Sequence, residues 1–221
     1  MMWMTAGRQK PGSVFHLGLD LGLRRNPTAL ALVEDVTRPT GEFDYVLHVP
    51  RMETALVLRN LQRLPLETPY AELPGYLNRY LEGLAKRGPV HLVVDATGVG
   101  LPVVELLQLA QLPAQLKPIV ITGGESVGQL QHAASVPRSM LLQNLRVVLE
   151  TGGLRIPSAL RLLRELKQEL RALGDPKSRT PDDMAFALAL AIWSARPQPI
   201  IGERSVALPI HLGGPKPRSW V

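Results

Sequence analysis

Apolar residues come first in short runs and then at helical spacing. Val14 to Asp20 is a short apolar run that predicts a strand, and Thr28 to Val36, rich in Ala, Leu and Val, predicts a second. LGLRRNP between them holds Gly22 and Pro27, both turn-formers, so the two strands read as a hairpin. Phe43 to Met52 alternates and predicts a third strand, completing an antiparallel meander. From Pro69 to Arg87, Leu73, Leu77, Tyr80, Leu81 and Leu84 recur at helical spacing, with Pro74 near the first turn and Gly88-Pro89 as the stop. Val90 to Asp95 is a continuous apolar run, as in a buried parallel strand. Pro102 to Ala110 then predicts a short helix and Leu116 to Ile121 a fifth strand. This alternation of strands and helices implies a parallel layer with helices on its faces.

The second half is helical. Residues 122–135 form a polar, glycine-containing loop with no clear period. Pro137 to Glu150 carries Leu141, Leu142, Leu145, Val148 and Leu149 as an apolar stripe and ends at Gly152-Gly153. LRIP reads as a brief extended segment, and Ser158 to Leu173 as a basic amphipathic helix. Asp182 to Ala195 is the last predicted helix; Thr180, Pro181 and Asp183 before and within it resemble a capping box, with Thr180 at N-cap. Residues 1–13 read as a flexible basic arm, 14–196 as one domain, and 197–221, with Pro197, Pro199, Pro209, Pro215 and Pro217, as an irregular tail.

Composition narrows the chemistry. The chain has 221 residues, 25 basic and 19 acidic, and a net charge of +6, which mildly favours a polyanionic partner. Cysteine is absent, which excludes disulfides, thiolate zinc sites and thiol catalysis. The N-terminus lacks a long apolar segment of signal-peptide type, and no apolar run approaches the ~18 residues of a membrane span. The expectation is a soluble, cytoplasmic protein.

Three distant stretches place carboxylates where a metal could use them. Asp20 ends the first strand in LGLDLG; Asp95 ends the fourth in LVVDATGVG; Asp182 and Asp183 open the last helix in TPDDMAFALALA. Ligands in open α/β sheets bind beyond the C-terminal ends of strands. A buried strand carboxylate is costly unless paired or metal-bound. Oxygen ligands from several elements, without Cys and with few His, suit Mg²⁺ or Mn²⁺. Each stretch also has a plain structural use, since Asp20 and Asp95 could cap turns and Asp182-Asp183 could cap a helix.

Taken together and in this order, the stretches resemble a ribonuclease-H-like nuclease, and specifically the nuclease domain of the phage terminase large subunit. ITGG at 121–124 and VPRSMLLQNLRVVLETGGLRIP at 136–157 also resemble that family, in which a VPK-like start leads through a helix to a GRLRIP-like strand. The resemblance spans about Val14 to Ala195. It implies an α/β fold with a mixed sheet, three antiparallel strands plus two parallel ones, flanked by helices. It implies cleavage of double-stranded DNA with two Mg²⁺ or Mn²⁺ ions, held by Asp20, Asp95 and Asp183 with Asp182 beside them. Asn26 stands where the family often has an acidic residue. No G-x-x-x-x-G-K-[ST] motif occurs, so the chain is expected to be an excised domain, a stand-alone nuclease or a prophage remnant, and a packaging ATPase or portal, where separate, would be a partner.

A nuclease that does not read sequence needs phosphate contacts from Lys and Arg. Arg24, Arg25, Arg138, Lys177 and Arg179 lie beside the acidic stretches and are the candidates. Arg161, Arg164, Lys167 and Arg171 line one helix face, but the interleaved Glu165 and Glu169 favour salt-bridged solvation there. The five histidines are scattered; His132, in the glycine-containing loop, is the one to watch. The rival readings are a Holliday-junction-resolvase-like nuclease, a decayed DNA-binding module and an actin-like ATPase.

Overall fold

Strand β1 (Gly12–Asp20) is flanked by an antiparallel partner, β2 (Ala29–Asp44), and a parallel one, β4 (Val90–Asp95). The computed structural model describes residues 12–22, 26–98, 100–130, 133–173, 178 and 180–196. β3 (Val49–Arg63) continues the antiparallel half, while β5 (Gln115–Thr122) and β7 (Ala134–Pro137) continue the parallel half. Two-residue strands, β6 (Gly128–Gln129) and β8 (Leu154–Arg155), close the edges, in the order β6-β7-β5-β4-β1-β2-β3-β8. The expected mixed sheet is present, widened by these short strands.

The pleat of the strands splits the apolar side chains between two cores. On one face, Phe15, Leu17, Leu19, Leu92 and Val94 pack against α1 (Leu73–Ala85) and α2 (Gly100–Leu109). On the other, Ala29, Ala31, Val33, Val93 and Ile119 lie under α3 (Arg138–Glu150), α4 (Leu163–Ala172) and α5 (Asp183–Ala195). Each fully buried Leu or Phe contributes roughly 1.5–3 kcal/mol. α5 is buried from Asp183 to Trp193, with no polar face, because it runs between the sheet and its neighbouring helices. Its small residues let it sit directly on β1. A Cβ at Gly18 would overlap the Ala187 carbonyl oxygen and stand 2.8 Å from the Ala191 nitrogen.

Three predicted elements differ. Phe43 to Met52 is not one strand: it holds the end of β2, a turn, and the start of β3. Asp44 makes that turn, its Oδ1 accepting the amides of Val46 and Leu47 at 3.0 Å each. The third strand therefore extends to Arg63, and Phe43, Tyr45, Val46 and Leu47 stand exposed around the ribbon tip. Loop 122–135 contains the small β6–β7 hairpin and so is partly regular. α4 starts at Leu163 instead of Ser158, because Leu162 at the N-cap adopts φ 64°, outside the helical region. Among the described residues no helix is long and apolar enough to cross a membrane. The arm up to residue 11 and the tail from residue 197 lie outside the described residues.

Below α5, His16 is buried and shares a 2.9 Å hydrogen bond between Nδ1 and Ser194 Oγ. Its ring stacks on His91 at 5.1 Å. Burial, aided by repulsion from His91 and Lys117, lowers its pKa from 6.5 to about 3. A histidine with a depressed folded pKa stabilises the fold while neutral and loses that contribution as pH falls below its unfolded value. Urea unfolding of wild type against His16→Gln should show a difference that is flat above pH 7. Below that, wild type should lose about 1.4 kcal/mol per pH unit from about pH 6 to pH 4. A flat difference across the range would contradict a buried neutral imidazole.

Candidate metal-binding site

Asp20 and Asp95 end neighbouring parallel strands. Leu19 pairs with Val94, so the two carboxylates lie side by side at one edge of the sheet. α5, seated on Gly18, brings its N-terminus to the same edge, with Asp183 as its first residue and Asp182 as its N-cap. The electrostatics register the convergence. Burial raises the Asp20 pKa from 3.8 to about 8, and Asp95, Asp183, Asp182 and Glu169, in that order, add to the shift. Every charge named there is negative, so a cation at this point would relieve it.

The DATG loop is shaped around Asp95. Asp95 Oδ1 accepts the Thr97 amide at 2.8 Å and also the Thr97 hydroxyl, whose oxygen accepts the Ile121 amide at 2.9 Å. Thr97 thereby ties Asp95 to β5. Gly98 holds φ +62°, and a Cβ at Gly100 would come within 2.5 Å of the Asp95 carbonyl oxygen. Both positions demand glycine for different reasons, a left-handed backbone and a close approach. After Asp20 the chain closes on itself, with the Thr28 hydroxyl donating to the Gly22 carbonyl at 2.9 Å.

Arginines hold the two carboxylates of α5. Arg63, the last residue of β3, grips Asp183 with a fork: Nε donates to Oδ2 at 2.7 Å and Nη2 to Oδ1 at 3.0 Å. The same Nη2 bonds Glu169 of α4. Glu169 Oε2 accepts the Ala185 amide at 2.8 Å, so Glu169 caps α5 from another helix. Burial lifts the Glu169 pKa to about 7; the Ala185 amide and Arg63 pull against this shift, while Asp183 adds to it. Arg138 donates to Asp182 at 3.1 Å and lies 4.0 Å above the Phe186 ring.

Two expectations are corrected here. Thr180 is not the N-cap. That position belongs to Asp182, which makes no side-chain cap, and the amide of the third helical residue is satisfied by Glu169 instead. Glu169 is not a solvated partner of the basic face either, since only 1% of it is exposed. The sequence held a signal for this: Leu162, Leu166, Glu169 and Leu170 share one helical stripe, which places the glutamate among apolar neighbours. Arg63 offered no such signal, because its strand was not anticipated. Of the expected DNA contacts only Arg138 is described; Arg24, Arg25, Lys177 and Arg179, and also His132, lie outside the described residues.

The donor set of Asp20, Asp95, Asp182 and Asp183 is all oxygen, which suits a hard divalent ion. Asp20 supplies the electrostatic demand. Among the described residues, though, no three His, Asp or Glu side chains converge as a preformed metal site would. Asp183 bonds Arg63, Asp182 bonds Arg138 and Asp95 bonds Thr97. The residues fit such an ion in chemistry, since all four supply carboxylate oxygens.

No protein-family model matches the sequence, and no curated protein matches it. Among solved structures, the human cytomegalovirus terminase nuclease domain is similar at 12% identity, with 87% of each chain covered and a TM-score of 0.55. Its manganese-soaked, inhibitor-bound form gives 12% identity, 87% coverage of each chain and a TM-score of 0.52. The manganese-soaked form gives 11%, 84% and 0.51. The present chain has the ribonuclease-H-like fold of that terminase nuclease domain.

Proposed function

We propose that this chain is a divalent-metal-dependent endonuclease that cuts double-stranded DNA, of the terminase type. The observation that carries the reading is the gathering of Asp20, Asp95, Asp182 and Asp183 at one sheet edge, in this fold, with Asp20 pushed up to about 8 by burial and its acidic neighbours. Asp20, Asp95 and Asp183, with Asp182, would hold two Mg²⁺ or Mn²⁺ ions. Bound there, such ions would supply an activated water and stabilise the leaving 3′ oxygen of a phosphodiester.

The chain's own residues do the rest. Thr97 fixes Asp95 against β5, and Arg63 with Glu169 fixes Asp183 against α4. Arg138, which bonds Asp182, would exchange it for a phosphate while keeping its stacking on Phe186. Arg24, Arg25, Lys177 and Arg179 flank the acidic stretches in sequence and would add backbone contacts without sequence readout.

The test is incubation of supercoiled plasmid with the protein and Mn²⁺, Mg²⁺ or EDTA, beside Asp95→Ala. Nicking and linearisation that need the metal and vanish in the variant are expected. A folded wild type that cuts with neither metal would replace the nuclease reading with a DNA-binding module.

A further inference from the structure

We infer that Arg63 and Glu169 form a positioning pair that sets how tightly the acidic edge binds a divalent cation. The inference rests on the nuclease reading above and goes beyond it, since neither residue belongs to the four expected ligands. The pair is built into the fold. Arg63 comes from the end of β3, Glu169 from α4 and Asp183 from α5, so three elements meet in one network. Glu169 and Asp183 are 1% and 2% exposed, and Arg63 is 25% exposed.

The geometry gives each group one task. The guanidinium fork engages both oxygens of Asp183, which fixes the plane of that carboxylate as a single-point contact would not. Each carboxylate oxygen has a second lone pair, so Asp183 can bond the fork and still offer an oxygen to a cation. Glu169 holds the other end of Nη2 and the Ala185 amide, which locks Arg63 to the first turn of α5. Partners that orient a metal ligand from behind are worth about 10–100-fold in metal affinity. Lysine can carry the charge of Arg63 but lacks the planar fork that engages both Asp183 oxygens and reaches Glu169.

The experiment titrates Mn²⁺ alone into the 221-residue chain by calorimetry, with wild type, Arg63→Lys, Arg63→Met and the exposed control Arg146→Ala. Cooperative thermal melting of each variant is checked first. We expect Arg63→Lys and Arg63→Met both to weaken Mn²⁺ binding by about 10–100-fold, with Arg146→Ala unchanged. In the plasmid assay the Mn²⁺ concentration for half-maximal cutting should rise by the same factor for Arg63→Lys, and saturating Mn²⁺ should restore the rate. Should Arg63→Met fail to fold, Arg63→Lys decides alone. Variants that bind Mn²⁺ as tightly as wild type, or more tightly, would overturn the positioning role and leave the nuclease reading standing. A wild type that binds no Mn²⁺ would overturn both.

Discussion

Asp20→Asn should abolish metal-dependent DNA cleavage, by at least about 10³-fold, and at the same time raise the melting temperature of the metal-free protein. The two effects share one cause. The Asp20 carboxyl ionises at about 8 in the fold because it is buried among other carboxylates. In the unfolded chain it ionises near 3.9, as an ordinary Asp does. Between those values the folded protein holds a proton that the unfolded chain releases, so stability falls as pH rises through that window. Asparagine removes the penalty and should add about 2–4 kcal/mol at pH 7.5. The gain should shrink as pH falls to about 3, where both states of the wild type are largely protonated. Saturating Mn²⁺ should raise the wild-type melting temperature and leave Asp20→Asn nearly unmoved, because binding to the folded state alone stabilises it. Thermal melts across pH, with and without Mn²⁺, check all of this. A variant that is destabilised as well as inactive would mean that Asp20 serves the fold instead.

Gly18→Ala should be among the most damaging single substitutions, although it adds only a methyl group. The new Cβ would meet the Ala187 carbonyl and the Ala191 nitrogen, both backbone atoms of α5. No side-chain rotation can relieve that contact. α5 must lift from β1, and that movement opens the core formed by Val93, Ile119, Leu188 and Ile192. A loss of at least about 3 kcal/mol is expected, above the usual range for overpacking because the obstacle is rigid. Urea unfolding measures it. Gly83→Ala is the matched control: beyond its neighbours and its own helix backbone no heavy atom lies within 4 Å of its added Cβ, and alanine favours a helix. A Gly18→Ala protein as stable as wild type would show that α5 does not press on β1 in this way.

Much of this arrangement could be read from local pattern. The DATG run announced both a strand end and a tight turn, and Gly98 and Gly100 turn out to need the freedom that only glycine has. The small residues of DDMAFALALA announced a helix that packs closely, and Ala187 and Ala191 do lie against Gly18. What escaped was turn chemistry and long-range pairing. Asp44 bends the chain within a stretch whose alternation otherwise reads as strand, which hid β3 and with it Arg63. Arg63 is 120 residues from Asp183 and 106 from Glu169, so no local window contains the network. Charge counting along α4 also misled, because Glu165 and Glu169 look alike in sequence while only Glu169 falls on the buried stripe.

The position of α5 along the chain has a consequence for biosynthesis. Asp20 and Asp95 emerge from the ribosome early, whereas Asp182 and Asp183 travel on the last described helix. At usual elongation rates of about 5–20 residues per second, roughly 5–20 seconds separate Asp95 from the end of α5. Throughout that interval the nascent chain holds half of the acidic edge and a sheet whose β1 surface lacks its cover. Docking of α5 then fills the core and delivers the remaining carboxylates in one event, so on the proposed nuclease reading the fold and the capacity to cut would arrive together. On the proposed reading, a nuclease assembled this way would stay harmless while it is still being made.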